Sequence, residues 1–137
     1  MKDCVFCKIA SGELPSTKVY EDDDVIAILD INPATRGHTL VMPKVHYDNF
    51  LSTPREILTK VMIVAQRLGQ IAMKQLHARG VNILTNCYPV AGQSVLHFHV
   101  HVIPRYDTTD GLQISMKDMS EEKLNLPTIA KEITKGM

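Results

Sequence analysis

The sequence has no tryptophan, only 5% aromatic residues and no net charge, because 15 basic side chains are balanced by 15 acidic ones. Without a basic excess there is no field to hold a phosphate backbone, so no nucleic acid polymer is expected as a partner. No apolar run approaches the roughly 20 residues that cross a bilayer, so no membrane association is expected either. The opening stretch MKDCVFCKIASGELP has no apolar h-region, and the expected localisation is cytoplasmic. Three cysteines are too few for a disulfide framework; two of them, Cys4 and Cys7, form a CxxC that suggests metal or redox chemistry. Internal repeats, low-complexity tracts and linkers are absent. What is present is 137 residues, 45% hydrophobic and 22% charged, enough for one soluble domain with a real core.

Histidine is unevenly spent. Of six histidines, three fall in LHFHVHVIPR at positions 97, 99 and 101. A strand turns successive side chains to opposite faces, so His97, His99 and His101 are expected on one face, with Phe98, Val100 and Val102 on the other. A face made only of imidazole is not a generic solvated surface. Nor is it one metal site, since about 3.3 Å per residue separates His97 from His101 by about 13 Å, while zinc takes its nitrogens at about 2.1 Å. The three rings are expected to have different jobs.

Around this segment the chain reads as short strands and one strong helix. Val5 to Ala10 is expected as a short helical turn. TKVYE and VIAILDI form a hairpin across an acidic turn, and NPATRG is a loop. HTLVMP is a third strand. The helix is expected between Pro54 and Arg79, with Thr53 as its cap, Pro54 in first position, Glu56 as a capping-box acid and a stop at Gly80. Its apolar stripe is wide, which suggests burial on two sides, the second against another subunit. VNILTNC and VLHFHVHVIP supply two more strands, and the tail from Ser120 to Lys135 carries a weaker helical pattern. The fold class is α+β, an antiparallel five-stranded sheet with one long helix and a C-terminal helix.

His97-Phe98-His99-Val100-His101-Val102-Ile103 resembles the His-x-His-x-His signature of the histidine triad (HIT) nucleotide-binding proteins. FCKIASGELPSTKVYEDD, DINPATRGHTLVMPKVH and AGQSVLHFHVHVIPR are similar to that family in order and spacing. The resemblance covers roughly Cys4 to Arg105 and implies a single HIT domain over 1–137, with the tail from about 106 not diagnostic. It also implies a homodimer formed through the long helix.

The chemistry of the residues agrees with this resemblance. A neutral imidazole attacks phosphorus near neutral pH and leaves a phosphoramidate that water hydrolyses, which splits one hard displacement into two easier ones. The resemblance makes His99 the nucleophile. A backbone carbonyl is expected to hold its Nδ1 proton and leave Nε2 free. His101, His38 and Ser94 are implied at the phosphate and leaving atom. Asp30 is implied at the ribose. Val5, Phe6, Ile9, Ile28 and Leu40 are implied around the base, and Asn86, Gly92 and Gln93 near the phosphate. Cys4 and Cys7 are implied to share a structural zinc ion with His46 and His97. The expected function is a nucleotide hydrolase or phosphoramidase acting on purine nucleotides of the AMP or GMP type. Asn86 resembles the branch that cleaves phosphoramidates, whereas IPR after the triad is closer to the branch that cleaves dinucleoside polyphosphates. A dinucleoside polyphosphate hydrolase, a nucleotidyltransferase (disfavoured by the short chain) and a nucleotide-responsive scaffold remain the alternatives. Cys87 is expected in the core and His77 on the surface.

Overall fold

A computed structural model describes residues 3–137. The elements run α1 (Val5–Ala10), β1 (Lys18–Glu21), β2 (Val25–Leu29), β3 (Thr39–Pro43), α2 (Arg55–Gln75), β4 (Gly80–Leu84), β5 (Val100–Arg105) and α3 (Leu126–Lys135). The five strands form one antiparallel sheet in the order β1-β2-β3-β5-β4, so the fold is the expected α+β arrangement. No helix among the described residues is long and apolar enough to cross a membrane.

The acidic run opens the hairpin. One carboxylate oxygen of Asp22 accepts the amides of Asp24 and Val25, both at 2.8 Å, and the turn needs no glycine. β2 and β3 then read as unbroken apolar runs because both of their faces are covered. Val25, Ala27 and Val41 pack beneath α2 with Val61, Val64, Ala65, Phe98, Val100 and Val102. Ile26, Ile28, Leu40 and Met42 pack on the opposite face with Cys4 and Phe6. The sheet therefore carries α2 on one face and α1 on the other, and the site lies on the α1 face.

Three boundaries differ from the sequence reading. Thr53 does not cap α2. Its hydroxyl donates to the Asn49 carbonyl at 2.8 Å, closing a short 3-10 turn at Phe50–Ser52, and α2 starts at Arg55 without a side-chain cap. Nor does α2 run to Gly80. It ends at Gln75, because His77 takes the left-handed conformation that usually calls for glycine. His77 is exposed as expected, whereas Cys87 is half-buried rather than in the core. Finally, β5 begins at Val100 instead of Val95. Before it, the Phe98 amide donates to the Tyr47 carbonyl at 2.7 Å, and the Pro43 carbonyl is taken by the ring of His97. The alternation of faces nevertheless persists, with Phe98, Val100 and Val102 under α2.

α2 buries one side only: Val61, Val64, Ala65, Gly69 and Ala72 face the sheet, while Ile63, Ile71 and Met73 are exposed. From Gln113 onward every residue is exposed, α3 included.

Candidate active site

Two centres flank the segment that leads into β5. At the first, Cys4 caps α1 and Cys7 lies one turn on, so both sulfurs sit at the start of the same short helix. The Nδ1 of His97 lies 3.3 Å from Cys4 Sγ and 3.5 Å from Cys7 Sγ, and the Nδ1 of His46 lies 3.4 Å from Cys7 Sγ. All four donor atoms fall within 4.8 Å of one another. Bonds of about 2.0–2.3 Å from a tetrahedral zinc would put neighbouring donors roughly 3.3–3.8 Å apart, so the set has the right size for a metal ion. The outer ring nitrogens agree. His97 Nε2 donates to the Pro43 carbonyl at 2.8 Å and His46 Nε2 to Asp48 at 3.0 Å, which leaves both Nδ1 atoms bare towards the sulfurs.

The second centre is a pocket of about 550 Å³ between α1 and the sheet. Val5, Phe6, Ile9, Ile28 and Leu40 line it, with Asp30, Ser94, His99 and His101. Phe6 meets the ring of His99 edge-on, with centroids 5.0 Å apart. The register that pairs Leu40 with His101 places that histidine beside the apolar wall.

Hydrogen bonds decide where the protons sit. His99 Nδ1 lies 2.7 Å from the carbonyl of its neighbour His97, an acceptor only, so the proton is on Nδ1 and Nε2 keeps its lone pair. The amide of Ala34 donates to His38 Nδ1 at 3.0 Å, so the proton of that ring is on Nε2. His38 Nε2 in turn lies 2.9 Å from His101 Nδ1, making His101 the acceptor there and putting its own proton on Nε2. The pocket thus holds one bare imidazole nitrogen and one imidazole N–H. Burial lowers the pKa of His38 and His99. Burial, then the neighbouring His99 and His38, lower His101 to about 4, so both rings of this relay are neutral near pH 7.

Asp30, His38 and His101 also cluster closely enough to hold a metal. Their protons forbid it. The nitrogen of His38 turned towards Asp30 and His101 carries the hydrogen, and moving that hydrogen to Nδ1 would set it against the Ala34 amide. This cluster is a hydrogen-bond relay.

Four expected site residues lie outside the pocket lining. His38 sits behind His101. Gln93 spends its side chain tying the 88–95 loop together and to Asp48: its amide nitrogen donates to the carbonyls of Asp48 (2.6 Å) and Val95 (3.0 Å), and its oxygen accepts the Tyr88 amide (2.7 Å). Asn86 donates to the Gly92 carbonyl at 3.3 Å, and Gly92 turns that loop with φ +100°, where a side chain is strained. Leu14, Pro15, Ser16, Leu29, Ile31, Asn32 and Val95 complete the lining, and no motif in the sequence singles them out. Ser16 stands out because its hydroxyl is buried without a protein partner.

Residues 11–108 match the family model described as HIT domain. The crystal structure of a HIT family protein from Bacillus anthracis superposes with a TM-score of 0.92 at 39% identity, covering 98% of this chain and 97% of that one. A zinc-bound histidine triad family protein from Mycobacterium smegmatis superposes with a TM-score of 0.77 at 38% identity, covering 99% of both chains. The adenylylsulfatase HINT3 of Arabidopsis thaliana is 41% identical over 103 residues, which span 75% of this chain and 52% of that protein.

Proposed function

This chain belongs to the HIT family, and from that premise we propose that it hydrolyses purine nucleotide phosphoramidates or related α-phosphate bonds through a covalent His99-nucleotidyl intermediate. The observation that carries the reading is the bare Nε2 of His99 in the same pocket as the N–H of His101. The apolar wall built on Val5, Phe6, Ile9, Ile28 and Leu40 takes the base, and Asp30 at the pocket's polar end takes the ribose hydroxyls. His99 Nε2 attacks the α-phosphorus while the His101 N–H donates to a phosphate oxygen, where negative charge builds. The P–N bond to the leaving amine breaks. The departing nitrogen keeps the bond pair and takes a proton from solvent through the Ser94 hydroxyl. Water then attacks phosphorus, the bond to His99 breaks, and the water's surplus proton returns to solvent. The products are a nucleoside monophosphate such as AMP or GMP and the free amine. The relative named as an adenylylsulfatase supports cleavage at an α-phosphate, since adenylyl sulfate joins sulfate to the α-phosphate of AMP through an anhydride bond.

Cys4, Cys7, His46 and His97 hold a structural zinc ion in this reading; the closed set of four donors leaves no position for substrate. The zinc-bound relative supports that assignment. The protein is further proposed to be a homodimer. β4 is an edge strand with exposed Ile83 and Leu84, and α2 runs close over it at Gly69, where a Cβ would lie 3.7 Å from the Val81 side chain and 4.0 Å from that of Ile83. Met73, one turn beyond Gly69, extends that apolar edge, which a two-fold partner would cover.

A substrate panel tests the reaction class. Adenosine and guanosine phosphoramidates, adenylyl sulfate and diadenosine polyphosphates are compared by kcat/KM. The phosphoramidates and the sulfate are expected to lead. A preference for the polyphosphates would transfer the site to that chemistry.

A further inference from the structure

The proton order of the relay depends on one backbone amide, and that amide sits on a loop held in place from outside the site. Residues 30–38 connect β2 to β3, and Ala34 in this loop supplies the N–H that meets His38. Three contacts pin the loop. The Thr35 hydroxyl donates to the Pro104 carbonyl on β5 at 2.6 Å. The Tyr106 hydroxyl donates to the Arg36 carbonyl at 2.7 Å. Gly111 lies so close to Ala34 that a Cβ there would come within 2.0 Å of the Ala34 carbonyl oxygen, which only a backbone shift could relieve.

The second and third contacts come from the turn that follows β5, and this turn is itself braced. The Arg105 guanidinium donates through Nε to Asp110 at 2.7 Å, through Nη1 to Asn82 at 2.8 Å and through Nη2 to the Leu112 carbonyl at 2.9 Å. Asp110 also accepts the Tyr106 amide at 3.1 Å. The Arg105 hydrogen bonds hold the Asp110 carboxyl at about pKa 2, so the brace is charged throughout the working range. None of Tyr106, Asp110 and Gly111 lines the pocket.

We propose that Tyr106 and Gly111, held by the Arg105–Asp110 pair, are positioning residues that aim the Ala34 amide at His38 and so keep the His101 proton on the nitrogen free to meet phosphate. The argument is one of direction. With the Ala34 N–H in place, His38 donates to His101 and His101 donates into the pocket. If the loop retreats, His38 Nδ1 loses its donor and the opposite tautomer opens, in which His101 presents a lone pair to an anionic phosphate. Asp30, 3.5 Å from His38 Nε2, favours the same tautomer but at a longer distance than Ala34. This inference rests on the proposed hydrolase reading for its kinetic consequence, not for its structural one.

The test uses full-length protein, adenosine 5′-phosphoramidate as probe, and the Tyr106→Phe and Gly111→Ala variants. Tyr106→Phe removes one hydrogen bond and keeps the ring, so it serves if Gly111→Ala does not fold. A displacement of about 1 Å at a catalytic group costs up to about 100-fold, so kcat is expected to fall on the order of 10-fold in Tyr106→Phe, with KM within about twofold. In a His38→Ala background the Tyr106→Phe effect is expected to vanish, because the residue it acts through is gone. Long-range nitrogen–proton NMR of the imidazoles supplies a readout without turnover. Wild type should show His38 and His101 protonated on Nε2, and Tyr106→Phe should shift both rings towards the other tautomer. Equal losses in both backgrounds, a loss in KM alone, or unchanged imidazole signals in Tyr106→Phe would overturn the proposal. If wild type is inert on the phosphoramidate, the hydrolase reading fails while the NMR comparison still decides the positioning claim.

Discussion

His97 and His99 are joined by one short hydrogen bond, from His99 Nδ1 to the His97 carbonyl at 2.7 Å. His97 turns its ring to the sulfurs of Cys4 and Cys7 and its carbonyl to the neighbouring imidazole. The backbone that completes the cysteine cluster is therefore the backbone that fixes which nitrogen of His99 is bare. Phe6, carried on the helix between the two cysteines, stands edge-on to both rings.

With the proposed zinc bound at this cluster, the link predicts that metal content and nucleotide binding are interdependent. Protein purified without chelator is expected to contain near one zinc per chain, and a Cys4→Ala, Cys7→Ala double variant to contain none. Zinc that binds only the folded state adds to its stability, so the double variant is expected to melt at lower temperature. Because α1 carries Val5, Phe6 and Ile9 of the pocket, AMP affinity measured by calorimetry should fall as well. Full metal retention in the double variant would remove Cys4 and Cys7 from the ligand set.

The buried histidines set an acid limit. His101, held at about 4 against an ordinary 6.5, takes up a proton on unfolding anywhere between those values, and His38 is lowered in the same sense. The unfolded chain then binds more protons than the native one, so stability declines as pH falls through that window and is flat above it. Urea unfolding at pH 7.5, 6 and 5 is expected to show the decline, and a smaller one in His101→Asn. An equal decline in that variant would assign the acid limit elsewhere.

The exposed apolar edge of β4 predicts association. Sedimentation at micromolar concentration is expected to give twice the chain mass, and Ile83→Glu to shift the protein towards monomer by placing a charge where a two-fold axis would double it. A monomeric wild type would leave the edge of β4 uncovered and contradict the dimer.

Ser16 lines the pocket, and its buried hydroxyl has no protein group to satisfy it. A hydrogen bond to nucleotide would supply the missing partner, and one such bond is worth about 0.5–1.5 kcal/mol. Ser16→Ala is expected to weaken AMP binding about 2- to 12-fold, an effect calorimetry resolves. Unchanged affinity would show that the nucleotide does not engage this hydroxyl.

Much of this molecule can be read from its residues, and the failures have a common cause. The β1–β2 hairpin follows from β-rich runs around Asp22 to Asp24, and the strand rise alone sets His97 too far from His101 for all three rings to share one metal, whereas the role of each ring comes from the family resemblance. The end of α2 is not legible because His77, not a glycine, takes the left-handed turn. The start of β5 is not legible because the Phe98 amide donates to the Tyr47 carbonyl and the His97 ring takes the Pro43 carbonyl at the end of β3, contacts between distant segments. Gln93 resembles a phosphate ligand in sequence but is consumed by three backbone groups. The Ala34 amide that sets the relay leaves no trace in sequence, since every residue but proline carries such a group.

The central claim is that His99 carries the nucleotide, and rapid quench with labelled adenosine phosphoramidate tests it most directly. Wild type is expected to yield an acid-labile adenylyl adduct on His99, and His99→Ala to yield none. Turnover in that variant should fall by at least about 1,000-fold, because no other group in the pocket can form the intermediate, while AMP still binds. A His99→Ala protein that keeps more than about a tenth of wild-type activity has lost only about 1.4 kcal/mol of transition-state stabilisation, and that result would contradict the account.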